Sequence, residues 1–396
     1  MTQISTAIVI GGGIAGPVTA MALRKAGIAA TVYEAYPSTA DGVGGTLALA
    51  PNGLAALKII GVDQSVVAIG QPISTMVMEI GRKRLEMPSL HGVPPMQMVH
   101  RADLYRVLHD AAAAQGITTE YGKRLTSARE TTSGIVATFA DGSTATAEVL
   151  IGADGVRSTV RTLIDPDAPG PRYTGSLGFE ATADVDVPVE PGTITFAFGK
   201  RGYYLYWSLP GGGTGWGVNL PQDRPSTMAE ARAVPKAEWM RTLRQAYGDD
   251  VPGGELLRRS NPEELQIIGS LHIMPPLRHW HRGRMALVGD AAHAPSNSSG
   301  QGASLAIESA IEVARCLRDL PDVPAAFAAY ESLRRGRVEG IARRAARANR
   351  AKAPGAIGRA IMPILMRAVM RLAMNPEKSL GPVQRHVIDW DARVAS

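Results

Sequence analysis

Three short glycine-bearing segments carry the residue types best suited to holding a phosphorylated ligand: Gly11-Gly12-Gly13-Ile14-Ala15-Gly16, Gly152-Ala153-Asp154-Gly155-Val156-Arg157-Ser158 and Gly289-Asp290-Ala291-Ala292-His293. Each follows an apolar run of strand length. In the first, Gly11 permits a tight turn, Gly13 lets bare backbone approach a pyrophosphate, and Gly16 lets the following helix pack closely on the strand. The helix N-terminus adds free amide donors and the positive end of its dipole. Glu34 stands 23 residues after Gly11 at the end of a second apolar run, where a carboxylate accepts from ribose hydroxyls and repels a 2′-phosphate. This is dinucleotide-binding chemistry. NAD and FAD both satisfy it, because they share the adenosine-pyrophosphate half.

Positioning these residues requires strands that deliver them to one edge. Ala7-Ile8-Val9-Ile10 reads as a buried strand, and residues 17–26 place Val18, Met21 and Leu23 at helical spacing behind Pro17. Met285-Ala286-Leu287-Val288 is another buried strand, so Asp290 falls in the crevice where open α/β sheets bind ligands, with a carboxylate able to accept from polyol hydroxyls. Gly300-Gln301-Gly302-Ala303 then opens a long helix in which Leu305, Ile307, Ala310, Ile311, Ala314 and Leu317 recur at helical spacing. Bare backbone at that start can approach a flat ring, and the positive helix end favours negative charge on it.

On these segments, in this order, nearly the whole chain resembles the class A FAD-dependent monooxygenases, the flavoprotein aromatic hydroxylases typified by para-hydroxybenzoate and salicylate hydroxylases and by tetracycline-inactivating monooxygenases. The resemblance implies an α/β fold: a Rossmann-like FAD-binding domain with an inserted mixed or antiparallel β-sheet substrate domain and a C-terminal helical segment. It implies non-covalent FAD held by Gly11, Gly13, Ile14, Ala15, Gly16, Glu34, Arg101, Leu125, Asp154, Asp290, Gly300, Gly302 and Ala303. Arg101 opens a helix in His100-Arg101-Ala102-Asp103-Leu104, and the segment around Asp154 and Arg157 is associated in the family with NAD(P)H as well as FAD. Segment Tyr330-Glu331-Ser332-Leu333-Arg334-Arg335-Gly336-Arg337 and Ile388-Asp389-Trp390-Asp391 also match. The implied reaction takes electrons from NADPH or NADH, forms a flavin C4a-hydroperoxide with O2, and transfers one oxygen to an aromatic or polycyclic small molecule. No catalytic side chain is assigned, and the Pro295 loop lies near the flavin.

There are two departures from the family pattern. Members often carry an arginine shortly before the glycines matching Gly44-Gly45, where this chain reads Ser38-Thr39-Ala40-Asp41. The family's proline after the third segment usually falls a few positions later than Pro295, and Ser296-Asn297-Ser298-Ser299 makes this loop unusually polar.

Strand-helix alternation over residues 1–72, 98–171 and 270–340 predicts one discontinuous FAD-binding domain. Residues 73–97 and 172–269 carry runs of β character, at 73–80, 193–198, 203–209 and 216–220, and predict a largely antiparallel substrate-binding sheet. Gly211-Gly212-Gly213-Thr214-Gly215 joins two of these runs as a hairpin turn. Only 5% of the chain is aromatic, so a concentration on this sheet points to a pocket, and Phe196, Phe198, Tyr204, Tyr206 and Trp216 are the substrate-pocket candidates. Period-2 alternation sends about half of such side chains to the other face. Residues 341–396 form the C-terminal segment.

At 396 residues and 45% hydrophobic the chain can bury a large core. The single cysteine, Cys316, fits a reducing cytoplasm and falls on the apolar helix after Gly302. The first apolar run is too short for a signal peptide or membrane span. Net charge is +6, and Arg334, Arg335, Arg337, Arg343, Arg344, Arg347 and Arg350 read as the polar side of a surface helix, with no nucleic-acid motif nearby. The 360–373 stretch is broken by Pro363 and carries Arg367 and Arg371, which excludes a bilayer span and predicts packing. No serine-histidine-acid order or metal-ligand spacing competes, so no metal is expected, and His293 reads as a structural histidine beneath the cofactor. The partners expected are an aromatic substrate, O2 and NAD(P)H, with no nucleic acid and no stable membrane insertion, in a monomer or homodimer. The rival readings are a flavin oxidase or dehydrogenase and a non-enzymatic flavin redox sensor.

Overall fold

A computed structural model describes residues 4–38, 44–81, 83–350 and 375–395. The stretch around Asp41, the 360–373 segment and the side chains of Arg347 and Arg350 lie outside the described residues.

Strand Thr6–Ile10 has apolar side chains over most of its length, a pattern that requires cover on both faces and therefore the middle of a parallel sheet. It pairs in parallel with Val149–Gly152 on one side and Ala29–Tyr33 on the other. Met285–Leu287 and Thr118–Glu120 extend the sheet in parallel, and the short strand His281–Arg282 closes one edge antiparallel. Helices Ala15–Lys25, Arg101–Ala114 and Gly302–Asp319 pack around it, and the last also meets Pro51–Ile59 and Val323–Arg350. Leu305, Ile307, Ala310, Ile311, Ala314 and Leu317 are all buried, as their helical spacing predicts.

A seven-stranded sheet runs in the order Gln266–Ile273, Arg172–Ala183, Thr214–Pro221, Tyr203–Ser208, Thr193–Phe198, Thr75–Ile80, Lys83–Glu86. Only Thr193–Phe198 and Thr75–Ile80 pair in parallel. A small sheet of Thr46–Leu49, Met96–His100 and Gln71–Ile73 lies apart from it. The single run expected over 73–80 is therefore split between two sheets. The Gly192 carbonyl accepts from both the Ser74 and Thr75 amides and takes the chain across between them. The glycine-rich turn after Leu209 is a hairpin, with the Leu209 amide bonded to the Gly213 carbonyl.

The two faces of the large sheet differ, and this corrects the pocket expectation. Tyr204, Tyr206 and Trp216 point to the face covered by helices Lys236–Tyr247 and Gly253–Arg259, packed with Leu243, Tyr247, Leu256 and Leu257. Tyr206 donates to Glu79 Oε2 at 3.0 Å, and Trp216 Nε1 donates to Ser260 Oγ at 2.8 Å. Ile194, Phe196, Leu205 and Trp207 occupy the opposite face, against Ile73 and Met98 of the small sheet.

The surface-helix reading of the late arginines also needs correction. Arg334 is 1% exposed and Arg337 is largely covered, because both turn inward to Glu308 on helix Gly302–Asp319. Arg343 does lie outward, ion-paired with Glu339.

Candidate active site

The registers of the parallel sheet bring the three glycine segments side by side. Ile10 is opposite Gly152 and Tyr33, and Gly152 is opposite Leu287, so Gly11, Ala153, Glu34 and Val288 leave the sheet together at its carboxyl edge. Backbone bonds continue the ladder: Gly11 N to Tyr33 O, Ala153 N to Ile10 O and Val288 N to Gly152 O. Gly11 has a φ of 102° and passes so near Asp154 that a Cβ would come within 2.8 Å of its Cα.

The glycines divide by what surrounds them. A Cβ on Gly16 would strike the Gly11 carbonyl oxygen, so Gly16 serves helix-to-strand packing. At Gly13, Gly300 and Gly302 a Cβ would meet no protein atom within 4 Å. These three border open space. That open volume, beside the N-termini of Ala15–Lys25 and Gly302–Asp319, is the cradle a dinucleotide with a flat ring requires, and the residues present fit FAD. Ile14 precedes the first helix, Ala15 is buried within its first turn, and Ala303 is half-buried in the first turn of the second.

Glu34 folds back onto the first glycine segment. Its Oε2 accepts from the Gly12 amide at 2.6 Å and Oε1 from the Tyr36 amide at 2.9 Å. His109, unforeseen from sequence, sits 2.6 Å from the Gly12 carbonyl through Nε2 and stacks on Tyr105. Burial holds its imidazole below the usual histidine range, which leaves a neutral ring donating through Nε2 to the loop. Leu125 is buried at the start of strand Leu125–Glu130, two residues after Lys123, whose amide donates to the Glu34 carbonyl.

In the third glycine segment, Asp290 starts the short helix Asp290–His293. Burial pushes its carboxyl above the usual carboxylate range, and the nearby Arg101 guanidinium pulls it back. Arg101 opens helix Arg101–Ala114, its amide donates to the Gly45 carbonyl, and its side chain lies against Gly44. Asp154 turns its Oδ2 to the Thr159 and Val160 amides and so caps helix Thr159–Ile164 together with Ser158. Buried Arg161 donates to the carbonyls of Val156 and Ala291, joining the second glycine segment to the third.

Behind the third glycine segment runs a buried polar network. Asn52 donates to Gln301 Oε1 and to Glu308 Oε1, Glu308 pairs with Arg334 at 2.6 Å and Arg337 at 2.8 Å, and Arg334 donates to Ser309, which also meets His293 Nε2 at 2.8 Å. The network ties Gln301, between Gly300 and Gly302, to His293, three residues after Asp290. The two guanidinium groups hold the Glu308 carboxyl down at about 2, and burial with Arg334 holds His293 at about 3. His293 is thus a neutral structural histidine.

A cavity of about 580 Å³ opens between the small sheet and the large one, lined in part by Thr46, His100, Glu180, Gln266, Met98 and Trp207. Glu180 lies against Gly45, and Arg101 lies against Gly44 and acts on Asp290, so these residues join the cavity to the third glycine segment. None of the five aromatic candidates lines the cavity. Phe196 is packed beside Trp207 and Leu209, which do, while Phe198 pairs with Tyr203 farther along the same strand face. Tyr204 and Trp216 border only a void of about 10 Å³ on the helix-covered face. Glu180 carried a signal in the sequence: it is an acid inside the strand-like run Leu177–Ala183. Pro295 follows Ala294, whose carbonyl accepts from the Met274 amide and fixes the loop to the end of strand Gln266–Ile273.

A family model described as FAD binding domain matches residues 4–345. The chain is 30% identical to an aurachin C monooxygenase/isomerase of Stigmatella aurantiaca over 83% of its own length and 85% of that protein. It is 29% identical to an FAD-dependent urate hydroxylase of Klebsiella pneumoniae, covering 85% and 87%. The crystal structure of Klebsiella pneumoniae HpxO with FAD and uric acid superposes with a TM-score of 0.81 over 96% of each chain at 24% identity.

Proposed function

We propose, from the premise that this chain belongs to the FAD binding domain family, that it is an FAD-dependent monooxygenase using NAD(P)H and O2 to hydroxylate, or otherwise monooxygenate, an aromatic or polycyclic small molecule. One observation carries this reading: three distant glycine segments converge at one sheet edge, beside a cavity large enough for a fused-ring compound.

The residues divide the task by position. Gly11, Gly13, Ile14, Ala15 and Gly16 present backbone and a helix N-terminus to the pyrophosphate. Glu34, held by Gly12 and Tyr36, keeps lone pairs for ribose hydroxyls, and Leu125 borders the adenine side. Asp290 accepts from ribitol hydroxyls and Arg101 supplies the opposing charge. Gly300, Gly302 and Ala303 would bring bare backbone and a positive helix end to the ring, which would favour negative charge on it. Asp154 acts on the cofactor site through its helix cap and through its backbone beside Gly11. Bound FAD supplies the redox chemistry that takes electrons from NAD(P)H and activates O2. The protein's part is position, polarity and exclusion of water by the apolar walls of the cavity.

In this reading residues 1–72, 98–171 and 270–340 hold the cofactor, and 73–97 with 172–269 hold the substrate. The test is a compound screen for stimulated NAD(P)H oxidation with product mass measured. Hits should gain 16 mass units, one oxygen atom, by the monooxygenase stoichiometry. Stimulation without any such product across the hits would refute oxygenation in favour of an oxidase or dehydrogenase.

A further inference from the structure

Two carboxylates, Glu180 and Glu264, line the cavity beside the proposed ring site. Glu180 lies within strand Arg172–Ala183, whose neighbours Phe179 and Ala181 face the covering helices, so alternation turns Glu180 to the cavity. Its Oε2 accepts from the Thr46 amide at 2.8 Å and its Oε1 from the Thr46 hydroxyl. A carboxylate offers about four lone-pair sites, which leaves about two for a ligand.

Gln71 and Glu264 add further acceptors. Gln71 commits its Nε2 to the Ser208 carbonyl at 2.7 Å, which leaves its side-chain oxygen as an acceptor. Glu264 adds a second carboxylate to the lining, whereas Gln266 engages its Oε1 with His100 Nε2 at 3.3 Å and keeps amide N–H donors for a ligand carbonyl. Among the described lining residues there is no lysine or arginine. Arg101, next to His100, is turned to Gly44 and acts on Asp290. A ring carboxylate brought into this cavity would meet like charge with no cation to pair it, a costly burial. A ring N–H would complete the Glu180 hydrogen bonds, and hydrogen bonds to charged groups are the stronger kind.

We propose that the cavity takes a fused-ring aromatic substrate that presents a neutral or cationic N–H donor to Glu180, and that it discriminates against ring carboxylates. Its role as the substrate site rests on the monooxygenase reading, whereas its binding preference is measured without turnover. Calorimetric titration of the FAD-loaded protein, with NAD(P)H omitted, compares carbostyril as a neutral N–H donor, aminobenzimidazole as a cationic one, and naphthoate as an anion of similar size. The donors should bind roughly ten-fold or more tightly than naphthoate, and Glu180→Gln, checked for FAD content and melting temperature, should bring that ratio close to one. Naphthoate binding as tightly as the donors, an unchanged ratio in Glu180→Gln, or no binding by either donor would overturn the proposal. Loss of oxygen transfer with the preference intact would instead count against the monooxygenase reading alone.

Discussion

At Asp290 and Arg101 the site makes its most direct claim on a ligand, since a buried carboxylate lies near a guanidinium that is turned to Gly44. Replacing either with alanine removes a charge-assisted hydrogen bond to the cofactor worth about 1.5–3 kcal/mol, so FAD affinity should fall roughly ten-fold to a hundred-fold by fluorescence titration. Unchanged affinity in both variants would remove them from the site. Asp290 drew notice in the sequence because it follows a strand directly after Gly289, and Arg101 because of the family resemblance. The contacts of Glu308, Arg161 and Glu180 were not readable, because their partners Asn52, Ala291 and Thr46 are 256, 130 and 134 residues away, although Glu180 itself stood out as an acid within a strand-like run. The buried network also sets acid sensitivity. His293, at about 3 in the fold, refuses a proton that the unfolded chain binds below about 6.5, so stability is lost as pH falls from 6.5 toward 3. Glu308, at about 2, adds a loss between about 4.5 and 2. His293→Gln should make the melting temperature fall less steeply between pH 6.5 and 4; some slope remains, because burial also holds His386 down at about 4. An identical slope in the variant would show that His293 titrates normally in the fold.

Among the elements, the glycine turns separate packing from binding. Gly13→Ala and Gly302→Ala add a methyl that meets no protein atom within 4 Å, and neither residue has a positive φ. Gly302 also lies in a helix, where alanine is better by about 0.5–1 kcal/mol. Both variants should therefore melt, without FAD, at or above the parent's temperature and yet bind FAD more weakly. Gly16→Ala should lose apo stability, because its methyl strikes the Gly11 carbonyl. Equal apo destabilisation by all three would contradict the division. Apolar runs made the parallel strands readable, and helical spacing did the same for Gly302–Asp319. What period-2 patterns do not encode is which face a helix will cover: Tyr204, Tyr206 and Trp216 look like pocket aromatics until helices Lys236–Tyr247 and Gly253–Arg259 are placed against them. Likewise the arginine-rich helix looks superficial until Glu308 is found facing it.

For the whole molecule, the proposed cofactor site lies at one sheet edge and the proposed substrate cavity between two other sheets. Cys316 is buried, with burial pushing its thiol up to about 12, and His293 is engaged with Ser309, so neither is poised for a flavin bond. The protein should purify yellow, and acid precipitation should release one FAD per chain; colour retained in the pellet would point to a covalent link. No helix among the described residues is long and apolar enough to cross a membrane. The decisive measurement is turnover of a stimulating aromatic compound with NAD(P)H under isotopically labelled O2. The oxygen gained by the product should carry the label. An added oxygen drawn from water, or stoichiometric peroxide with every stimulating compound, would contradict the monooxygenase reading.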